Sequence, residues 1–505
     1  MNPSDYRREY AAYCSASEHE RYKLHAGLST EPRFAEIEDR FADLWTPGAT
    51  EDLRRARDET PPHFQTERAA LCALAGAAAL GYLKARTHEV GGELAGCNAS
   101  ARIDWNGERI AATAPDFIAA ENDGARRRDL AARWFDALRP CNDLRAARLE
   151  SLADEARVLG FDSLPALEEN HTGANLEKLA STAETFLERT APVYMSRLAQ
   201  WAARRTPPLI TGALCRADAI FFERAAHLDG YFRAGDFRAV YDETTAALGI
   251  GVQAQPNILI DGEARSSKQA RTACFAVKPP EDVRFVLGSA TGGMGWFRTS
   301  LREAGRAQHL AWASRDLSVR YPEFVYPPDC ATGEAYGLLL SGLLHEAVWL
   351  EGRRGWRATE AQEVARFVAL AEMYEVRRAC AGLRHWLTLS TADDLRSEGL
   401  IETYAALYGE ATGFRHEAAT HMLDAESAAG AAAFLRARLF ASGLREHLRE
   451  RFGARWYAAR GAGDELIDLW NTASRYPVEE LARLVWGGEL DFDLLADELV
   501  TAVNV

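Results

Sequence analysis

Apolar residues recur with helical spacing along most of this 505-residue chain. Alanine, leucine, arginine and glutamate dominate these stretches, and apolar positions three and four residues apart give each stretch one face for a core. The clearest stretches are residues 145–159, 175–204, 361–389 and 428–452. The pattern predicts a mainly α-helical protein.

One hairpin is expected in the N-terminal part of the chain. Residues 100–110 alternate apolar and polar positions on either side of Asn106-Gly107, a dipeptide that favours a two-residue hairpin turn. We expect residues 1–138 to form an N-terminal helical region that contains this hairpin. Residues 139–505 are expected to form a second, larger domain.

A second group of strand-like segments precedes residue 301. Three short apolar runs, at 257–260, 273–277 and 283–287, are separated by glycine and by Pro279-Pro280. These runs predict a small sheet, which would lie directly before the helix that carries residues 301–309.

Composition narrows the classes of partner. A net charge of −15 and a pI near 5.4 argue against nucleic acid, because nucleic-acid binding depends on basic surfaces. The first residues are polar and acidic, and no uninterrupted apolar run reaches the roughly 20 residues of a membrane span. We therefore expect a cytoplasmic protein with neither a nucleic-acid nor a membrane partner.

The cysteines are scattered singly. None forms a C-x-x-C pair of the kind that holds zinc or performs redox chemistry, so we expect reduced and mostly buried thiols. The eight positions are Cys14, Cys72, Cys97, Cys141, Cys215, Cys274, Cys330 and Cys380.

The strongest chemical signal is the segment 301–309, which reads LREAGRAQH. In the H-E-x-x-H zinc motif, two histidines one helical turn apart bind the metal and the glutamate between them is the general base. Here Glu303 keeps the position of the base, while Arg302 and Arg306 stand at the two histidine positions. A guanidinium has no lone pair for a metal and repels it, so no metal or other cofactor is predicted.

Residues 301–315 as a whole resemble the active-site helix of the M3 family of metallopeptidases, the thimet-oligopeptidase and oligoendopeptidase group. The resemblance covers roughly the last 360 residues and places Glu334, in the segment Thr332 to Gly337, at the position of the family's third zinc ligand. It implies a helical body with a deep central cleft. Where such relatives carry a tyrosine and an arginine facing the cleft, this chain has Gly430 and Ala433, so the group that steadies an oxyanion is also lost.

Charge explains why arginine is a suitable replacement. Without a metal, Glu303 and Glu334 would repel each other, and two guanidiniums restore two positive charges at nearly the same place. The resulting network of two arginines and two glutamates is open to two interpretations. It either lines a functional cleft or simply holds two helices together.

A metal site built from other ligands is a further alternative. His309, Glu303 and Glu334 could hold a metal, although two nearby arginines would weaken it. His345 begins an incomplete motif that ends in tryptophan, and His416 and His421 are five residues apart, so their side chains diverge on a helix. We interpret these three histidines as structural.

Three functions follow as hypotheses. The first is a zinc-free, non-hydrolytic enzyme for condensation, cyclisation or elimination, acting on an amino-acid-like or peptide-like molecule with a carboxylate or phosphate. The second is an inactive peptidase that binds peptides or a partner, and the third is a residual metallopeptidase with unusual ligands. The predicted catalytic groups are Glu303 and His309. The predicted binding groups are Arg302, Arg306, Glu334, Tyr336 and Tyr457, with Arg377 and Arg378 near Tyr374 as further residues that would line the cleft by analogy.

Overall fold

The computed structural model describes residues 1–112, 115–205, 214–251, 253–289 and 292–504. Helices make up 73% of the chain and strands 6%, which confirms the predicted mainly α-helical class. In chain order the helices are α1 (Pro3–His25), α2 (Phe34–Arg40), α3 (Pro47–Glu59), α4 (Gln65–Arg86), α5 (His88–Ser100), α6 (Asp116–Ala120), α7 (Gly124–Leu138), α8 (Asn142–Val158), α9 (Leu164–Thr172), α10 (Leu176–Arg205), α11 (Arg216–Arg224), α12 (Ala234–Leu248), α13 (Met294–Ala311), α14 (Arg315–Arg320), α15 (Ala331–Ser341), α16 (Ala347–Arg354), α17 (Ala358–Thr391), α18 (Glu398–Thr412), α19 (His421–Ala428), α20 (Ala431–Phe452), α21 (Arg460–Trp470), α22 (Val478–Trp486) and α23 (Phe492–Asn504).

Helix starts follow ordinary capping chemistry. The side chain of Asn2 accepts the N–H of Asp5 at the start of α1, and Thr46 does the same for Ala49 in α3. The predicted helix over 428–452 is divided in the structure, because α19 ends at Ala428 and α20 begins after Gly430. The break places Gly430 at the edge of a cavity described below.

The expected hairpin is present. Strands β1 (Arg102–Trp105) and β2 (Glu108–Ala111) pair in antiparallel register, with Trp105 opposite Glu108. Asn106 and Gly107 connect them with φ angles of 53° and 84°. Positive φ at both turn positions is what asparagine and glycine tolerate best.

The small sheet also lies where the apolar runs predict it. It contains β3 (Ile258–Asp261), β4 (Ala273–Lys278) and β5 (Asp282–Val286) in the order β3-β5-β4. Strand β3 is parallel to β5, and β4 is antiparallel to it. The helices α1 and α13 both pack against β4, so this strand is placed beside the motif helix.

The main core surrounds α13, α15, α17 and α20. Their buried faces share one continuous apolar cluster, while α1, α3 and α4 build a smaller one. Helix α1 nevertheless contacts the small sheet of the larger region. The division at residue 138 stays a prediction.

The prediction of reduced thiols is wrong for two cysteines. Cys97 in α5 and Cys141 before α8 form a disulfide, which joins two helices whose ends lie side by side. The scattered spacing hid this pair, because 44 residues separate its members. Disulfides persist mainly in oxidising compartments. The pair therefore weighs against the predicted cytoplasmic location.

One helix of the described residues, α4, is long and apolar enough to cross a membrane. Of its most apolar window, 56% is buried inside the protein, and core helices commonly pass the same test of length and composition. The helix is therefore weak evidence for a membrane span.

Candidate functional site

The motif helix α13 crosses α15 at very short range. A β-carbon at Gly305 would lie 2.3 Å from the carbonyl oxygen of Tyr336, and one at Gly337 would lie 2.8 Å from the carbonyl oxygen of Arg302. Only glycine allows this approach at both crossing points. The contact brings Arg302, Glu303 and Arg306 of α13 next to Glu334 of α15.

Each arginine at a position where the resemblance expects a histidine is paired with a carboxylate. Arg302 forms a salt bridge with Glu334 across the two helices. Arg306 donates through Nη1 to both oxygens of Glu303, at 3.3 and 3.1 Å, within α13. The four side chains therefore form two neutral pairs where the resemblance places a zinc site.

Glu303 is the most enclosed member of the cluster. Its side chain is 9% exposed, and Oε2 also accepts the backbone N–H of Cys274 at 3.0 Å. That N–H belongs to β4, so the small sheet holds the carboxylate in place.

The two arginines differ electrostatically. Burial lowers the pKa of Arg302 to about 10, and the neighbouring Arg298 acts in the same direction. Burial would also lower the pKa of Arg306, but Glu303 more than compensates and raises it. Both remain cations at neutral pH.

His309 lies one turn beyond Arg306 and is almost completely buried. Burial lowers its pKa to about 4, and its ring packs 4.9 Å from that of Tyr336. Its Nε2 atom has no hydrogen-bond partner among the described residues. The imidazole is therefore neutral at physiological pH.

A cavity of about 280 Å³, here called the Arg306 cavity, opens beside this end of α13. Arg306 and His309 line it from α13, and Cys274 lines it from β4. The facing wall comes from α1 and includes Tyr13, Glu18 and Arg21. The side chain of Arg306 is 39% exposed and lines the cavity, so a ligand can reach it.

A second cavity, the Arg302 cavity, has a volume of about 250 Å³ and shares no lining residue with the first. It lies where α13 faces α11, α17, α18 and the start of α20. Its lining residues are Glu223, Arg302, Glu375, Arg378, Ala379, Gly382, Tyr408, Ser427, Gly430, Ala431 and Phe434.

The remaining sequence-predicted residues lie apart from both cavities. Tyr336 is completely buried and packs against Phe440 and Trp470, while Tyr457 is 4% exposed on a short turn that contacts α12 and α20. Arg377 is also buried and donates to the backbone of Ala411. Their positions give no support to a binding role.

The three histidines interpreted as structural are engaged in the protein interior. His345 bonds to Glu372 at 2.8 Å, within a buried network that includes Arg438. His416 and His421 bond to backbone carbonyls.

The donor set does not fit a zinc ion. Among the described residues, no group of three or more histidine, cysteine, aspartate or glutamate side chains could hold a metal. Glu303 and Glu334, the two acids at the position in question, each bind an arginine. To bind Glu303 and Glu334, a zinc ion would have to displace the guanidinium that is paired with each of them.

Comparison with known proteins identifies the fold. No protein-family model and no curated protein sequence matches the chain. A solved structure described as PZ peptidase A with inhibitor 2 superimposes with a TM-score of 0.69 at 13% identity, covering 93% of this chain and 87% of that one. The fold is therefore that of a PZ peptidase, an M3-family-like metallopeptidase fold.

Several residues of both cavities carry no signal in the sequence. The α1 wall of the Arg306 cavity lies almost 300 residues before Arg306, and Glu223 and Glu375 look like ordinary helix-surface acids. Only Arg378, of the residues placed near the cleft by analogy, lines a cavity.

Proposed function

We propose that this chain is a zinc-free protein of peptidase fold that binds an amino-acid-like or peptide-like molecule through an acidic group and performs non-hydrolytic acid–base chemistry on it. The observation that carries the proposal is the pairing of Arg306 with Glu303 at the mouth of a cavity. A cation that faces the cavity and a potential base that pairs with it then stand side by side.

Arg306 has donors to spare for the ligand. Both of its bonds to Glu303 use Nη1. The fork of Nη2 and Nε is the geometry with which arginine grips a carboxylate or phosphate. An acidic group bound there would lie within the same cavity as the neutral ring of His309.

Glu303 is the proposed acid/base group. A ligand anion at Arg306 competes with Glu303 for the guanidinium, which weakens the pair and makes the carboxylate a better proton acceptor. His309 can only accept a proton in its resting state, because burial keeps it neutral. Condensation, cyclisation or elimination each require such a transfer and no metal-bound water.

The second candidate, an inactive peptide-binding or partner-binding protein, is favoured by one observation. Glu303 does not line the Arg306 cavity, because Arg306 and Cys274 lie in front of it. If the salt bridge between Arg306 and Glu303 stays intact when a ligand binds, the carboxylate of Glu303 only positions the guanidinium.

Binding is tested first with amino acids and dipeptides whose amino group is acetylated, since these offer a carboxylate without an ammonium. We expect Arg306→Gln to weaken their binding in isothermal titration calorimetry by roughly tenfold to a hundredfold, the usual effect of losing one charged hydrogen-bond partner. Arg315→Gln is the control, because this arginine is 74% exposed and lines neither cavity. Equal affinities for wild type and Arg306→Gln contradict the proposed binding site.

Chemistry is tested with Glu303→Gln on any compound that binds. Nuclear magnetic resonance of the incubated compound reports turnover, and calorimetry reports binding. Lost turnover with retained binding supports the enzyme. Absence of turnover by the wild type with every bound compound favours the binding protein.

A further inference from the structure

The Arg302 cavity brings together both signs of charge in a small space. Glu223 and Glu375 supply two carboxylates to its wall, and Arg302 and Arg378 supply two guanidiniums. It shares no lining residue with the Arg306 cavity, so the identity of its ligand is independent of the proposed function.

Three of the four charges are paired with residues outside the cavity. Glu375 forms a salt bridge with Arg298, and Arg302 forms one with Glu334. Arg378 lies 3.5 Å from Asp424, a buried carboxylate that also pairs with Arg216 at 2.7 Å. Among the described residues Glu223 has no such partner outside the cavity, and Arg302 keeps donors that its salt bridge does not use.

Glu223 makes only one long salt bridge within the described residues. The nearest guanidinium nitrogen of Arg378 is 3.8 Å from its Oε1, beyond a hydrogen bond, and no hydrogen bond to its carboxylate is found in the described part of the chain. Burial raises the pKa of Glu223, and the nearby Glu375 raises it further, although Arg378 opposes this. A ligand ammonium beside Glu223 would oppose this rise in its pKa.

Arg302 faces the cavity with guanidinium donors that could bind an anion. Its salt bridge to Glu334 uses Nη2, and its guanidinium carbon lies 5.8 Å from the ring centre of Phe434. The side chain is 29% exposed. A planar anion can therefore reach its remaining donors.

We propose that the Arg302 cavity binds a free α-amino acid as a zwitterion, with its ammonium at Glu223 and its carboxylate at Arg302. A simple anion would leave Glu223 with no cation closer than Arg378 and place a further negative charge nearby. A simple amine would leave the remaining donors of Arg302 unused. Ala379, Ala431 and Phe434 offer the apolar surface for the side chain of the ligand.

Size agrees with a ligand of this class. Pockets for drug-sized molecules span roughly 300–1,000 Å³. The Arg302 cavity, at about 250 Å³, is smaller than that range. A single amino acid suits it better than a long peptide.

The test is calorimetric titration of the full chain with each standard amino acid in turn. For any amino acid that binds, the matched carboxylic acid without the amino group and the matched amine without the carboxylate are titrated next. We expect both analogues to bind roughly tenfold to a hundredfold more weakly, because each loses one charged hydrogen-bond partner.

Two variants locate the binding in this cavity. Gly430→Leu fills it, since a β-carbon there meets only a carbonyl oxygen of Ser427 at 3.8 Å and the backbone is helical. Glu223→Gln removes the partner of the ammonium. We expect both to abolish or strongly weaken binding, whereas the exposed controls Gly399→Leu and Glu402→Gln retain it.

Three results overturn the proposal. They are no binding of any amino acid, equal binding of an analogue with one charge, or binding that survives Gly430→Leu. None of these results involves Arg306, so the proposed function is tested separately by the Arg306→Gln experiment.

Discussion

At the scale of single residues, each of the two arginines pairs with one of the two glutamates. Arg302 reaches across to Glu334, and Arg306 folds back onto Glu303, so each carboxylate keeps a positive partner. Lysine could supply the charge, but it lacks the fork that lets one guanidinium hold a carboxylate and still offer donors to a ligand. We propose that the two arginines, at the positions where the resemblance expects histidine ligands, serve as anion-binding groups.

His309 gives a prediction for pH dependence. Its pKa is about 4 in the folded protein, below the ordinary value of 6.5, so the unfolded chain takes up the proton first as the pH falls. Stability that is present above pH 6.5 is therefore lost between pH 6.5 and 4, by at most about 1.4 kcal/mol per pH unit from this residue. We expect His309→Gln to flatten the dependence of the urea midpoint on pH in this window.

The exposed His63 supplies the matched control for that experiment. His63→Gln is expected to leave the pH dependence as in the wild type. Parallel curves for His309→Gln and wild type would show that His309 is not held neutral by the fold.

At the scale of elements, the site depends on how closely α13 and α15 cross. Gly305 and Gly337 allow the two backbones to touch, which places Glu334 within reach of Arg302. Strand β4 completes the arrangement through the N–H of Cys274. One helix crossing and one strand edge therefore determine the geometry of all four charged side chains.

The crossing predicts a large effect from a small substitution. Gly305→Ala would place its β-carbon 2.3 Å from the backbone of Tyr336, so the helices must move apart. We expect a loss of about 1–3 kcal/mol in the free energy of unfolding, typical of overpacking. Gly295→Ala, in the same helix but with open space around it, is expected to be neutral or slightly stabilising.

Denaturation by urea measures both glycine variants. A Gly305→Ala protein as stable as Gly295→Ala would mean that the close helix crossing is not present.

The sequence predicts α13 and the hairpin well, but it predicts poorly which distant segments contact each other. Helical periodicity and the run LREAGRAQH predict α13, and Asn106-Gly107 predicts the hairpin, because both signals are local. The α1 wall of the Arg306 cavity and the position of Glu223 depend on contacts between distant segments, for which a single sequence carries no local signal. The same holds for the Cys97–Cys141 pair.

At the scale of the whole molecule, the chain has the fold of a solved peptidase structure, with paired arginines and glutamates where α13 crosses α15. Its helices superimpose on those of a PZ peptidase over 93% of the chain, although only 13% of the residues are identical. A fold of this kind hosts a site between its helices, and the site itself determines the activity. In this chain two small cavities with paired charges stand where the resemblance places zinc.

The most direct test of this account is the zinc content of the purified chain after exposure to excess zinc and desalting, measured by inductively coupled plasma mass spectrometry. We predict no stoichiometric zinc in the wild type and about one zinc per chain in the double variant Arg302→His with Arg306→His, which restores the two imidazole ligands beside Glu334. One zinc per wild-type chain, lost in Glu334→Gln, would contradict the claim that the two arginines have replaced the metal.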